Sequence, residues 1–209
     1  GASTLVQLGA IGTDTRDLAG NWLPSVNAIR EIQYLQAVRR VTVLAHVLAT
    51  DDATMNRLDA RIVELKDKRE AARAAYEKQL SSPEERAAYD SMARLFGPYD
   101  VEIDKLLALS RENRNTEARD LANGSASKFG GEIDAILNQL VKLNTDGAGA
   151  SAANALGLVA ATRTVTIAAL CGVVALLLLS GFALNSAIAK PVVGMTGAMN
   201  RLAEGDKSV

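Results

Sequence analysis

The sequence predicts an all-α protein, an antiparallel up-down four-helix bundle whose last helix continues through a membrane. Three observations predict it. Four successive stretches carry apolar residues at alternating four- and three-residue spacing, the period of packed helices. Proline is confined to Pro24, Pro83, Pro98 and Pro191, while Ala, Leu and Arg are plentiful, a composition that favours long helices. Residues 164–184 hold no charge and no proline, inside a wider uncharged window between Arg163 and Lys190.

Taken in order, residues 1–13 are uncharged and small, and read as the run-in to a helix. Pro24 predicts a kink in, or the start of, the first long helix. That helix runs to about Thr50 with a seam of Trp22, Val26, Ile29, Gln33, Gln36, Arg40, Val43 and Val47. A second stripe of Ile32, Leu35, Arg39, Thr42 and His46 lies beside it, so the helix has neighbours on two sides. Thr50-Asp51-Asp52 breaks the pattern and can cap a second helix. Met55, Leu58, Ile62, Leu65, Arg69, Ala72, Tyr76 and Gln79 form its seam.

Ser82 then caps a third helix, with Pro83 at its first position. Its seam is Tyr89, Met92, Phe96, Tyr99, Ile103 and Leu106, with a local kink expected at Gly97-Pro98. A polar turn at residues 111–115 leads to the fourth helix. There Arg119, Ala122, Ala126, Phe129, Ile133, Ile136, Leu140 and Leu143 share one register. Gly124 and Gly130-Gly131 weaken this helix without ending it, and the glycine pair reads as a close-packing or bending point. Residues 147–162 turn to Ala, Gly and Ser without proline, so the helix can run from near Thr116 to Ala189, roughly 110 Å at 1.5 Å per residue.

The apolar segment is long enough to span a bilayer core, which takes about 20 residues of helix. A soluble helix of that length normally keeps a polar face, and a signal peptide is excluded by the position near the C-terminus. In an antiparallel bundle with these turns, facing positions on the first and fourth helices sum to about 165. Residue 1 then faces residue 164, and a first transmembrane helix is expected before Gly1. Lys190, Arg201 and Lys207 favour a cytoplasmic side for the C-terminal end.

Charge and chemistry narrow the function. Residues 14–146 carry 41 of the 47 charged side chains, 19 basic and 22 acidic. No positive excess is present to hold nucleic acid. One cysteine, Cys171, allows no intrachain disulfide or cysteine zinc site and reads as a small hydrophobe in the apolar segment. The chain offers no nucleophile-and-base pair, no phosphate-binding glycine loop and no metal-spaced cluster, so neither an enzyme nor a cofactor is expected.

The Asn21-Trp22-Leu23-Pro24-Ser25-Val26 start, the four seams, the apolar segment and the ending from Ala189-Lys190-Pro191 to Leu202-Ala203-Glu204-Gly205-Asp206 resemble bacterial methyl-accepting chemotaxis receptors. Pro191 and Glu204-Gly205-Asp206 are similar to the first helix and connector start of a HAMP linker. The resemblance implies three parts: a periplasmic ligand-binding bundle over residues 1–163, a transmembrane helix over 164–184, and the first part of HAMP over 185–209. It also implies a homodimer in the bacterial inner membrane, with possible assembly into higher receptor clusters. The output would be control of a cytoplasmic histidine kinase through a coupling protein. The same sensor, membrane helix and connector occur on sensor kinases and cyclic-dinucleotide enzymes, and a bundle can also answer to a periplasmic binding protein.

Polar residues inside the apolar stripes mark the candidate ligand site, because a buried charge is paired or functional. Arg40 and Gln36 share the main seam of the first helix, and Arg39 lies on the second stripe. Arg119 falls on the fourth seam with Asn123 close by. The register brings these groups into one cationic, amide-rich patch in the membrane-distal half. Arginine takes carboxylates bidentately, so a small organic acid or amino acid is the expected ligand. In aspartate-sensing relatives, arginines near the distal end of the first helix and polar groups early in the fourth bind ligand at the dimer interface; Arg39, Arg40 and residues 119–125 occupy similar places. The competing reading pairs each arginine with a nearby carboxylate, and Arg69 is expected to be such a structural residue.

Overall fold

The computed structural model describes residues 2–205, with the side chains of residues 2–5 and 8 outside the description. The expectations placed on residue 1, Asp206 and Lys207 therefore lie outside the described residues. All elements among the described residues are helical: α1 (Ala2–Asp17), α2 (Leu23–Leu48), α3 (Asp52–Glu77), α4 (Pro83–Arg111), α5 (Asn115–Asn123), α6 (Ser125–Leu184) and α7 (Lys190–Ala203), with π turns at Leu18–Trp22 and Asn185–Ala189. The chain divides into two compact units, Leu8–Ala155 and a second made of Gly1–Gln7 with Leu156–Val209.

Leu8–Ala155 is the four-helix bundle, with α5 and the first part of α6 together forming the fourth helix. The residues expected only as a run-in are already helical. α2 starts at Leu23 with Pro24 in its first turn, and the π turn ahead of it keeps the helical path unbroken, the Leu23 N–H bonding Leu18 O five residues back. Asp51 leaves helical geometry and accepts from the Thr54 N–H at 2.8 Å, which starts α3. Ser82 does the same for α4, accepting from the Glu85 N–H at 3.1 Å, with Pro83 in the first turn. The kink expected at Gly97-Pro98 does not interrupt α4. Asn113, at φ 57°, makes the turn out of it, a left-handed conformation asparagine tolerates.

The fourth helix departs from expectation at Gly124, which does interrupt it: at ψ −110° the residue leaves helical geometry and separates α5 from α6. A Cβ there would stand 3.0 Å from the Asp120 carbonyl, so the break needs a glycine. The buried row is also displaced. Ala118 rather than Arg119 is buried in α5, and Ala126, Gly130, Ile133, Leu137, Leu140 and Asn144 line the inside of α6. Phe129 and Ile136 are only half-buried. Gly130 is inside because Tyr99 and Arg40 occupy the space beside it, 3.6 and 3.8 Å from where a Cβ would stand. Gly131 faces open space, and α6 runs through both glycines.

Both stripes of α2 and the seam of α3 point inward, placing Ile29, Ile32 and Ile62 in one core with Met92, Phe96 and Ile133. Near the α3–α4 turn the core is polar. Tyr76 donates to Glu85 at 2.6 Å, Asn144 donates to the same oxygen at 2.8 Å, and the Ser81 N–H holds the other oxygen at 2.8 Å. Burial pushes the Glu85 carboxyl up, but these bonds outweigh it and hold the group below the usual range. Trp22 packs against α6, its ring 2.6 Å from where a Gly147 Cβ would be, and its indole N–H donates to Ser151 at 3.1 Å.

In the second unit, α6 runs on to Leu184, a π turn closes with the Lys190 N–H on Asn185 O, and α7 follows with Pro191 in its first turn. Val165, Leu176 and Phe182 are more than half exposed, and none of the apolar window is buried. One helix among the described residues is long and apolar enough to cross a membrane. A soluble core helix of this composition would be buried.

Candidate functional site

A cleft of about 150 Å³ opens where α2 and α4 meet the α5–α6 break. α2 supplies Arg40, α4 supplies Tyr99, and Asn123 and Ser127 flank Gly124. Val43, Ile103 and Leu106 give it an apolar wall. Arg40 spends one bond on Asp134 of α6, at 2.8 Å, and its Nε is buried without a partner. The Tyr99 hydroxyl is likewise buried and unpartnered, and burial pushes it up from the ordinary phenol range. Two unused donors, one amide and one hydroxyl around an apolar wall suit a small polar ligand.

A few residues away the polar groups are consumed. Arg39 donates to Asp100 at 2.7 Å, and Arg69 reaches the same carboxylate through Nη1 at 3.2 Å and Nη2 at 2.8 Å. Lys66 adds a contact at 3.3 Å, and Gln36 accepts from Arg69 at 3.3 Å. The Arg69 guanidinium also lies over the Phe96 ring, 4.2 Å from its centre. Desolvation alone would raise Asp100, but the bonds and charge of Arg69, with Arg39 and Lys66, hold its carboxyl below the usual range. Arg69 thus has the paired, structural place read for it.

The five residues named from the sequence fall into three places. Arg40 and Asn123 line one cleft. Gln36 and Arg39, fully buried, belong to the Asp100 network. Arg119 is exposed and lines a separate groove of about 360 Å³ with Leu44, Leu48 and Thr116. Sequence reasoning missed Tyr99 and Ser127 as cleft residues. Tyr99 stood on the α4 seam, and its hydroxyl was the available signal, since a phenol there needs a partner.

A third stripe on α2 was also missed. Tyr34, Ala37, Val41, Leu44 and Leu48 repeat at three- and four-residue spacing and are exposed, Val41 at 67% and Leu48 at 80%. Leu44 belongs both to this stripe and to the cleft wall.

Helical bundles build sites between facing helices, and this chain is a four-helix bundle of the sensory class. Residues 1–157 match the family described as a four helix bundle sensory module for signal transduction, and the chain belongs to that family. No curated protein matches it. The resemblance drawn from the Asn21–Val26 start and the four seams holds for the sensory module: the chain is a chemoreceptor-type sensor.

Proposed function

We propose that the chain is the sensory and membrane-spanning part of a bacterial transmembrane chemoreceptor that senses a small periplasmic carboxylate, an organic acid or amino acid. Residues 1–163 form the periplasmic domain, 164–184 cross the inner membrane, and 185–209 begin a HAMP connector. The observation that carries the reading is the cleft where Arg40 and Tyr99 present buried donors without partners beside Asn123 and Ser127. A carboxylate would accept from Arg40, while the amide and hydroxyls select the rest of the molecule.

The exposed stripe of α2 supports a homodimer, because heptad spacing of apolar residues on an outer face suits a second helix. Leu44 would then put the cleft at the edge of that interface. Arg40 is tied to Asp134 on α6, so a ligand competing for the guanidinium changes how α2 holds α6. Since α6 is continuous to Leu184, that change has a helical path toward the HAMP helix and a cytoplasmic histidine kinase with its coupling protein. The displacement is limited by the ligand's differential affinity for the two states.

Thermal-shift and calorimetric screening of the full chain in detergent against small organic acids and amino acids tests this. Arg40→Gln and Asn123→Ala should lose the response, whereas Arg119→Ala keeps it. An undiminished response in Arg40→Gln places the ligand elsewhere.

A further inference from the structure

We propose that His46 and Asp59 form a proton-binding site, a second input to the sensory module, separate from the Arg40–Asn123 cleft. His46 is the only histidine in the chain and is fully buried. Its Nδ1 is 2.9 Å from Ser110 Oγ of α4, and its Nε2 is 3.2 Å from Asp59 Oδ1 of α3. Both Nε2 and Oδ1 are buried, and neither has an aligned hydrogen-bond partner.

Ser110 makes the site two-way. Its hydroxyl lies 3.1 Å from the His46 carbonyl as well as 2.9 Å from Nδ1, and that carbonyl also accepts from the Ala49 N–H at 3.2 Å. The single hydroxyl proton therefore has two acceptors within reach. In the neutral ring the hydroxyl donates to Nδ1, and Nε2 carries its proton toward Asp59. In the charged ring both nitrogens donate. Ser110 then accepts from Nδ1 and turns its own proton to the carbonyl. Neither form leaves a polar group stranded on the α4 side.

Only the Asp59 contact changes in kind, from a 3.2 Å approach without hydrogen-bond alignment to an ion pair. From α4, Arg111 faces the same carboxylate, holding Asp59 Oδ2 at 2.7 Å, while Arg39 of α2, Lys66 and Asp67 of α3 and Asp104 of α4 line the groove that Asp59 borders. Proton uptake by His46 strengthens the tie between the end of α2 and the start of α3 through Asp59 Oδ1, while Arg111 keeps Oδ2. The proton comes from solvent and returns there. The site thus reads acidity at the end of the bundle where α2 turns into α3.

The test is NMR of the full chain in detergent micelles with ¹⁵N-labelled histidine, stepped from about pH 8 to about pH 5. One set of ring signals should move reversibly from the neutral to the doubly protonated pattern while the bundle stays helical. Amide protection at the end of α2 and the start of α3 should follow the same midpoint. In Asp59→Asn the midpoint should fall, and Asp59→Glu, which keeps the charge, should retain the wild-type titration if the Asn variant unfolds. A ring locked in one pattern, a midpoint unmoved in Asp59→Asn with Asp59→Glu folded, or protection that ignores the titration would each overturn the proposal.

Discussion

Among the described residues, Asp100 is the one buried carboxylate facing three cations, with Arg39 at 2.7 Å, Arg69 at 2.8 Å and Lys66 at 3.3 Å. Removing it strands Arg39 in the core and leaves Arg69 with Glu70 as its remaining carboxylate, at 2.8 Å. Asp100→Ala should cost about 3–5 kcal/mol of folding stability, read from urea unfolding, since breaking a buried pair leaves an uncompensated charge. The Arg40–Asp134 pair is the contrast, with side chains 41% and 38% exposed. Two arginines adjacent in sequence thus have opposite fates. Residue type and stripe told that Arg39 and Arg40 were exceptional, but not which was committed, because Asp100 lies 61 residues from Arg39 and Asp134 lies 94 from Arg40. Pairing over such separations is a property of the packed bundle, and a seam position carries no trace of it.

At the scale of the helix, the Trp22–Gly147 contact is a close joint between the π turn that precedes α2 and α6. Gly147→Val sets a branched side chain where the indole lies 2.6 Å from a bare Cβ position. Overpacking of this kind costs about 1–3 kcal/mol. Because Trp22 is the only tryptophan, its fluorescence should shift to the red as the ring is expelled, and Trp22→Leu should restore part of the lost stability. An unshifted emission spectrum would show that the ring is not seated on Gly147. The helix starts at Asp51 and Ser82 were legible because a cap is a local contact, made within three residues. The break at Gly124 was not. Glycine is compatible with helix, and here the neighbouring Asp120 carbonyl and the cleft decide. Gly147 read only as part of a small-residue stretch, since nothing local says that an indole lies against it.

For the bundle as a whole, acid should be the weak side. Asp100 and Glu85 both titrate below their ordinary values of 3.8 and 4.5 when folded. A group depressed in the folded state contributes stability above its unfolded value and loses it as pH falls through the folded one. Urea midpoints should therefore drop progressively below about pH 4.5, and Glu85→Gln should be less stable near neutrality yet less sensitive to acid. A midpoint that is flat over that range would contradict the ion-pair account. At this scale the sequence was most informative. Four seams, short capped turns and one uncharged segment define a bundle and an apolar helix without reference to any single contact.

The π turns at Leu18–Trp22 and Asn185–Ala189 share a plan, each closing one residue ahead of a residue–proline step at Pro24 or Pro191. A π turn holds an extra residue within a helix. Everything downstream is therefore rotated by roughly 100° about the axis relative to an uninterrupted α-helix of 3.6 residues per turn. Phase, not only continuity, passes through such a turn. Val192, Met195, Met199 and Leu202 owe the direction of their shared face to the wider turn before Lys190, and a heptad count carried straight through it from α6 would misplace that face by about a quarter turn.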